Sequence, residues 1–230
     1  AESFFEAATA NAQIHRRIGA FLKKKDRLFS GGRSDEGAWI ANIGNLDALE
    51  VLAKACEEVA NEVGFECGLG VDVAASSLWS EKDEAYIYQR ERKKRDPGEQ
   101  LEFILGLIRK HHLVYVEDPF HEEDYESFAE LTRKVRNCFL CGDDLFATNS
   151  ERLSRGIKMH AANAVIIKVN QVGTLTDAWE TIDMAKRNGY VPVMSHRSGD
   201  TCDWHIAHFA VAFKCPIIKT GIVEGTRIAK

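Results

Sequence analysis

An α/β protein with a parallel sheet is the fold class this sequence predicts, and three observations predict it. Six short apolar runs recur between residues 68 and 218, helix-like stretches fill the five gaps, and run after run ends in a charged residue. Strands alternating with helices at this spacing mark parallel βα units. A doubly wound sheet and a (β/α) barrel both fit that alternation.

The elements follow in order. Ile14, Ile18 and Leu22 keep a four-residue step, as do Leu52, Cys56 and Val59, so the first sixty residues predict two helices. Between them, Ser30 to Gly37 is too glycine-rich for either element. The strands are then expected at Gly68–Val73, Leu113–Val116, Phe139–Cys141, Ala164–Val169, Tyr190–Met194 and Pro216–Ile218. Leu101, Ile104, Leu107 and Ile108 mark one connecting helix, and Tyr125, Phe128 and Leu131 another. A third runs from Thr174 to Arg187, with Gly189 as its stop signal. Ala85 to Tyr88, ahead of the charged stretch Gln89–Asp96, suggests a small hairpin insertion.

Composition narrows the function. The 230 residues are 45% hydrophobic, enough for a substantial core, and none of the apolar runs reaches membrane-spanning length. Thirty basic against thirty-five acidic residues leave a net charge of −5, which argues against nucleic acid or an anionic membrane as partner. The six cysteines are scattered among apolar neighbours, as in a reduced, cytoplasmic protein. Cys138 and Cys141 match C-x-x-C, but within a strand they point to opposite faces and read as packing residues. Gly68 and Gly70 open a dinucleotide-like pattern that Val73 breaks, and no P-loop occurs.

The chemistry is carried by the strand ends: Asp72, Glu117-Asp118, Asp143-Asp144, Lys168, His196-Arg197 and Lys219. In a parallel barrel all of these lie on the face where active sites are built. Three carboxylates from successive strands, Asp72, Glu117 and Asp143, suit a hard divalent cation such as Mg²⁺. Lys168 would stand among cations (Lys219, Arg197 and the metal), which should lower its pKa and let it act as a base. Arg197 and Ser198 supply donors for an anion such as phosphate. Metal and lysine together equip a site to remove a proton α to a carboxylate.

Seven motifs in this order resemble those of the enolase (phosphopyruvate hydratase) family. They are Ser34-Asp-Glu-Gly37 with Asn42-Ile43, Asp72 to Ser77, and Val116-Glu-Asp-Pro-Phe120 with Glu123-Asp124. Gly142-Asp-Asp-Leu145 with Thr148-Asn149, Ile167 to Gln171, Ser195 to Gly199 and Ile218 to Gly221 complete the set. Pro216 to Lys219 and Arg227 to Lys230 are similar to archaeal members. The resemblance implies reversible, Mg²⁺-dependent dehydration of 2-phosphoglycerate to phosphoenolpyruvate in glycolysis and gluconeogenesis. It implies Asp72, Glu117 and Asp143 as ligands of a tightly held Mg²⁺, with a second Mg²⁺ arriving with substrate, and Asp144 as a tuning neighbour. Lys168 corresponds to the base at C2, Glu36 to the acid that assists loss of the C3 hydroxyl, and Lys219 to a positioning group. His196, Arg197 and Ser198 correspond to residues lining the phosphate pocket. The small-molecule phosphorylated substrate would be met by a homo-oligomer, at least a dimer at full length.

The resemblance also implies a TIM-type barrel of the enolase kind, ββαα(βα)₆, of which residues 1–230 would be the αα(βα)₆ portion. The first two strands and the N-terminal α+β domain would be absent, leaving the isolated piece with little turnover. Gly37-Ala38-Trp39 departs from the family's Gly-Gly pattern after the acid, Cys202 stands where many relatives have Glu, and Glu224-Gly-Thr226 is also altered. Two alternatives remain: a superfamily enzyme for another α-proton acid, and a non-catalytic split or degenerate enolase serving as a binding or assembly module. His111-His112 and the Arg90–Arg95 run read as solvated surface, and His205 and His208 as packing or partner-contact residues.

Overall fold

The computed structural model describes residues 1–221, 223 and 228–230; Glu224, Gly225, Thr226 and Arg227, and with them two of the altered or archaeal-like motifs, lie outside the described residues. The chain divides into two compact units. One holds residues 1–69, 197–205 and the described residues from 220 onward; the other holds 70–196 and 206–219.

In the first unit, α1 (Phe4–Lys25) and α2 (Asn45–Val63) pack through a small core of Ala10, Ile14, Ala55, Cys56 and Val59. Ser3 caps α1 by accepting from the Glu6 amide, and α2 stops at Gly64, whose φ of +78° suits a residue without a Cβ. Arg17 bridges the helices by donating to Glu58 and Glu62.

The second unit runs β1 (Gly70–Asp72), then a three-stranded antiparallel insertion, β2 (Trp79–Ser80), β3 (Ala85–Tyr88) and β4 (Lys93–Arg95). It continues with α3 (Pro97–His111), β5 (Tyr115–Glu117), α4 (Tyr125–Lys134), β6 (Phe139–Gly142), α5 (Ser150–Met159) and β7 (Ala164–Ile167). The last elements are α6 (Val169–Val172), α7 (Leu175–Arg187), β8 (Val191–Ser195), α8 (His205–Ala212, whose first residue belongs to the first unit) and β9 (Ile217–Lys219). Helix starts are set locally: Asp96 and Glu99 form a capping box at α3, while Asn149 caps α5 and Thr174 caps α7.

Six strands form one parallel sheet in the order β1-β5-β6-β7-β8-β9, neighbours in space as in sequence. That is the strand order of an α/β barrel carrying six of its strands, and it excludes the doubly wound alternative, whose order reverses. The central strands are buried on both faces, while the edge strands β1 and β9 are only partly covered. Cys141, Ala164, Ile166 and Val193 cluster on one face, joined by Tyr115, Val191 and Ile217. The intervening residues Val116, Leu140, Val165, Ile167 and Met194 are likewise buried.

One expectation needs correction. The fourth predicted strand ends at Ile167, because Lys168 turns the chain into α6, closed by Gly173 at φ +100°. His111 is the last residue of α3 and His112 its exposed left-handed cap, so the solvated-surface expectation holds at His112. The Arg90–Arg95 run contributes β4 of the insertion and is mostly exposed, as expected, while Arg95 stacks on Phe103 at 3.8 Å and Tyr88 at 4.2 Å.

Candidate active site at the strand ends

Parallel register carries the predicted charged residues to one edge of the sheet. Asp72 ends β1 opposite Glu117, which ends β5; Asp143 follows β6 directly, Lys168 follows β7, and Lys219 ends β9 opposite Ser195. His196 follows β8 and is buried, its amide donating to the Lys219 carbonyl.

The two lysines choose different carboxylates. Lys168 Nζ donates to Asp143 Oδ2, so the base candidate sits on one of the carboxylates expected to bind the metal. Lys219 Nζ donates to Glu117 Oε1 at 2.5 Å and Asp72 Oδ2 at 2.9 Å. Burial opposes the charge on Lys219, yet the carboxylates of Glu117 and Asp72 outweigh it and raise its pKa above the ordinary lysine range. Glu117 is fully buried, and that burial, only partly offset by Lys219, pushes its pKa up to about 7.

The sequence named Asp118 among the strand-end charges without giving it a role, and it did not select Tyr115. Asp118 is 2% exposed and accepts from the amides of Asp143 (3.0 Å) and Asp144 (2.7 Å), which fixes the loop carrying both. Desolvation raises its pKa well above the usual carboxylate range. Ligand oxygens of Asp118, Asp143 and Asp144 lie within 4.8 Å of one another; among the described residues no such trio contains Asp72 or Glu117. Tyr115 Oη donates to Glu117 Oε2 at 2.6 Å. The run of acids after Val116 signalled Asp118; the i, i+2 spacing on one strand face signalled Tyr115.

This edge suits a hard divalent cation. Its donors are carboxylate oxygens, and Asp143 Oδ1 is buried without a hydrogen-bond partner, a costly state that a cation would relieve.

Glu36, Arg197 and Ser198 belong to the first unit, whose loops hold one another. Asp35 Oδ2 accepts from Ser198 Oγ at 2.7 Å and the Gly199 amide at 2.8 Å, while the Arg197 amide donates to Asp200. The turn bearing Glu36 is closed by the Gly37 amide on the Ser34 carbonyl and the Ser34 amide on the Ala38 carbonyl. Gly37 takes φ +81°, whereas Ala38 is not left-handed, so the alanine adds no backbone strain beside Glu36. Trp39 is anchored by its Nε1 on the His15 carbonyl at 2.7 Å and by stacking on the His15 ring.

Comparison with known proteins decides the family. The profile described as Enolase, C-terminal TIM barrel domain, matches residues 1–230. This chain belongs to the enolase family. It is 53% identical over 231 residues to the enolase of Methanosphaera stadtmanae and equally to that of Methanothermobacter thermautotrophicus, covering 100% of this chain and 56% of each relative. The enolase of Pyrobaculum aerophilum is 50% identical over 226 residues, 98% of this chain and 54% of that protein. The chain thus spans little more than half the length of these curated enolases. Among the described residues no helix is long and apolar enough to cross a membrane.

Proposed function

We propose that the protein containing this chain is a phosphopyruvate hydratase that interconverts 2-phosphoglycerate and phosphoenolpyruvate with Mg²⁺. The observation that carries the reading is the division of labour at the strand ends: Lys219 is bound by two carboxylates and Lys168 by one. Family membership over the whole chain supports it.

Asp72, Glu117 and Asp143 would hold the tightly bound Mg²⁺. When bound, the ion would neutralise the substrate carboxylate so that negative charge can build there as C2 loses its proton. The ε-amine of Lys168, once deprotonated, takes the C2 proton, and the C–H electron pair moves onto the substrate carboxylate. That pair then forms the C2–C3 double bond as hydroxide leaves C3, taking a proton from Glu36 and departing as water. Lys219, held cationic by Glu117 and Asp72, orients the substrate carboxylate. Arg197, Ser198 and His196 bind the phosphate, with a second Mg²⁺ accompanying it. The family resemblance supports assembly as at least a dimer.

The test is phosphoenolpyruvate formation from 2-phosphoglycerate by the protein as its gene encodes it, with and without Mg²⁺. Mg²⁺-dependent turnover that Lys168→Ala lowers by about 10³-fold or more is expected for loss of a general base. Absence of turnover in the parent, or near-normal turnover in Lys168→Ala, contradicts the reading.

A further inference from the structure

Trp39 follows Glu36 by three residues, and α1 is shaped to receive its ring. His15 and Gly19 lie four residues apart and so share one face of that helix. The indole stacks on the His15 ring at 4.7 Å, and its Nε1 donates to the His15 carbonyl at 2.7 Å. Gly19 leaves the space, since a Cβ there would come within 2.7 Å of Trp39 Cζ2 and push the indole aside. Arg33 adds its guanidinium 4.3 Å from the ring, and Phe29 meets it edge-on at 5.6 Å. The His15 side chain makes a second contact. Its Nε2 lies 2.8 Å from the Gly37 carbonyl, which can only accept, so that nitrogen carries the proton and donates it. Gly37 is buried and follows Glu36 directly. Asp26 secures the two ends of the loop, accepting from the amides of Leu28 and Asn42. Between those anchors, His15 ties the turn that carries Glu36 to α1.

We propose that His15 is a positioning residue for Glu36, holding its turn against α1 through the Gly37 carbonyl and the stacked Trp39. The inference rests on the reading of Glu36 as the acid at C3. A general acid must come within about 2.6–3.2 Å of the oxygen it protonates. Misplacing a catalytic group by about 1 Å costs about a hundredfold in rate. Proton abstraction at C2 is assigned to Lys168 and precedes the step that needs the acid. A displaced turn therefore slows elimination and spares exchange.

The test compares two rates in the protein as its gene encodes it, with Mg²⁺ present. One is exchange of the C2 proton of 2-phosphoglycerate in deuterated water; the other is phosphoenolpyruvate formation. His15→Phe keeps a ring to stack on Trp39 and removes the donor to Gly37. Gly19→Ala leaves His15 intact, suits a helix better than glycine, and displaces the indole. Each should lower phosphoenolpyruvate formation about ten- to a hundredfold while exchange stays at the parent rate. Neither should lower it further in a Glu36→Gln background, where the acid they position is already gone. Unchanged phosphoenolpyruvate formation in either variant, or exchange that falls in step with it, overturns the role of His15 while leaving Glu36 the acid. Undiminished formation in Glu36→Gln alone overturns the reading of Glu36, and this proposal with it.

Discussion

Two lysines stand at the same edge of one sheet and are held in different ways. Lys168 has Asp143 as its carboxylate partner, and both side chains are mostly buried; Lys219 lies between Asp72 and Glu117, the latter fully buried. A base must spend time as a neutral amine. An ammonium clamped by two carboxylates, with its pKa raised, is the poorer candidate and the better fixed charge. The difference teaches that strand-end position alone does not assign a role. The number and burial of the carboxylates around each ammonium do.

The largest expected effect separates the two directly. Lys168→Ala should lower kcat by about 10³–10⁴-fold, as expected for loss of the proposed base, and should also destabilise the metal-free protein, because the mostly buried Asp143 loses its cation. Lys219→Met should also cost stability in metal-free protein. Glu117 and Asp72 would be left beside each other without a cation, at a cost of about 1–3 kcal/mol. That is below the value for a fully buried pair because Asp72 is 41% exposed and Lys219 33% exposed. Denaturant titration with a chelator present measures it; no loss in Lys219→Met would contradict the double clamp on that ammonium.

A smaller effect tests the Lys168 side alone. Asp118 holds the amides of Asp143 and Asp144, so Asp118→Asn keeps one acceptor and replaces the other with a donor facing an amide N–H. We expect about 1–3 kcal/mol of destabilisation and about tenfold weaker Mg²⁺ binding, with the Lys219 contacts unaffected. Metal titration of this variant against the parent checks it.

The smallest effect is a pH slope from the Lys219 side. Glu117 in the folded protein is raised to about 7 from the ordinary 4.5, so between those values the folded state binds the extra proton. Metal-free stability should therefore fall as pH rises from about 4.5 to about 7 and then level off. Glu117→Gln should abolish that part of the slope; a variant that retains it would place the titrating group elsewhere.

Much of this arrangement was legible in the sequence because β-structure has a simple period. Apolar runs ended by Asp72, Glu117, Asp143, Lys168 and Lys219 predicted strands whose ends carry charge, and parallel register brings those ends to one edge. The pairings were not legible. Which carboxylate each lysine meets depends on side-chain reach across strands distant in sequence, as with Lys219 and Asp72, 147 residues apart. Asp118 looked like one more acid in a run, since its task is to accept from backbone amides that any residue could supply. Tyr115 looked like core, because a strand pattern gives the face a ring occupies and not the partner of its hydroxyl.

The most direct test of the division between the lysines follows the C2 proton of 2-phosphoglycerate in deuterated water by NMR, with Mg²⁺ present. The parent should exchange that proton. Glu36→Gln should still exchange it while forming little phosphoenolpyruvate, because the acid acts after the proton has left. Lys168→Ala should not exchange it. Continued exchange in Lys168→Ala, with exchange lost in Lys219→Met instead, would contradict the assignment and make Lys219 the base.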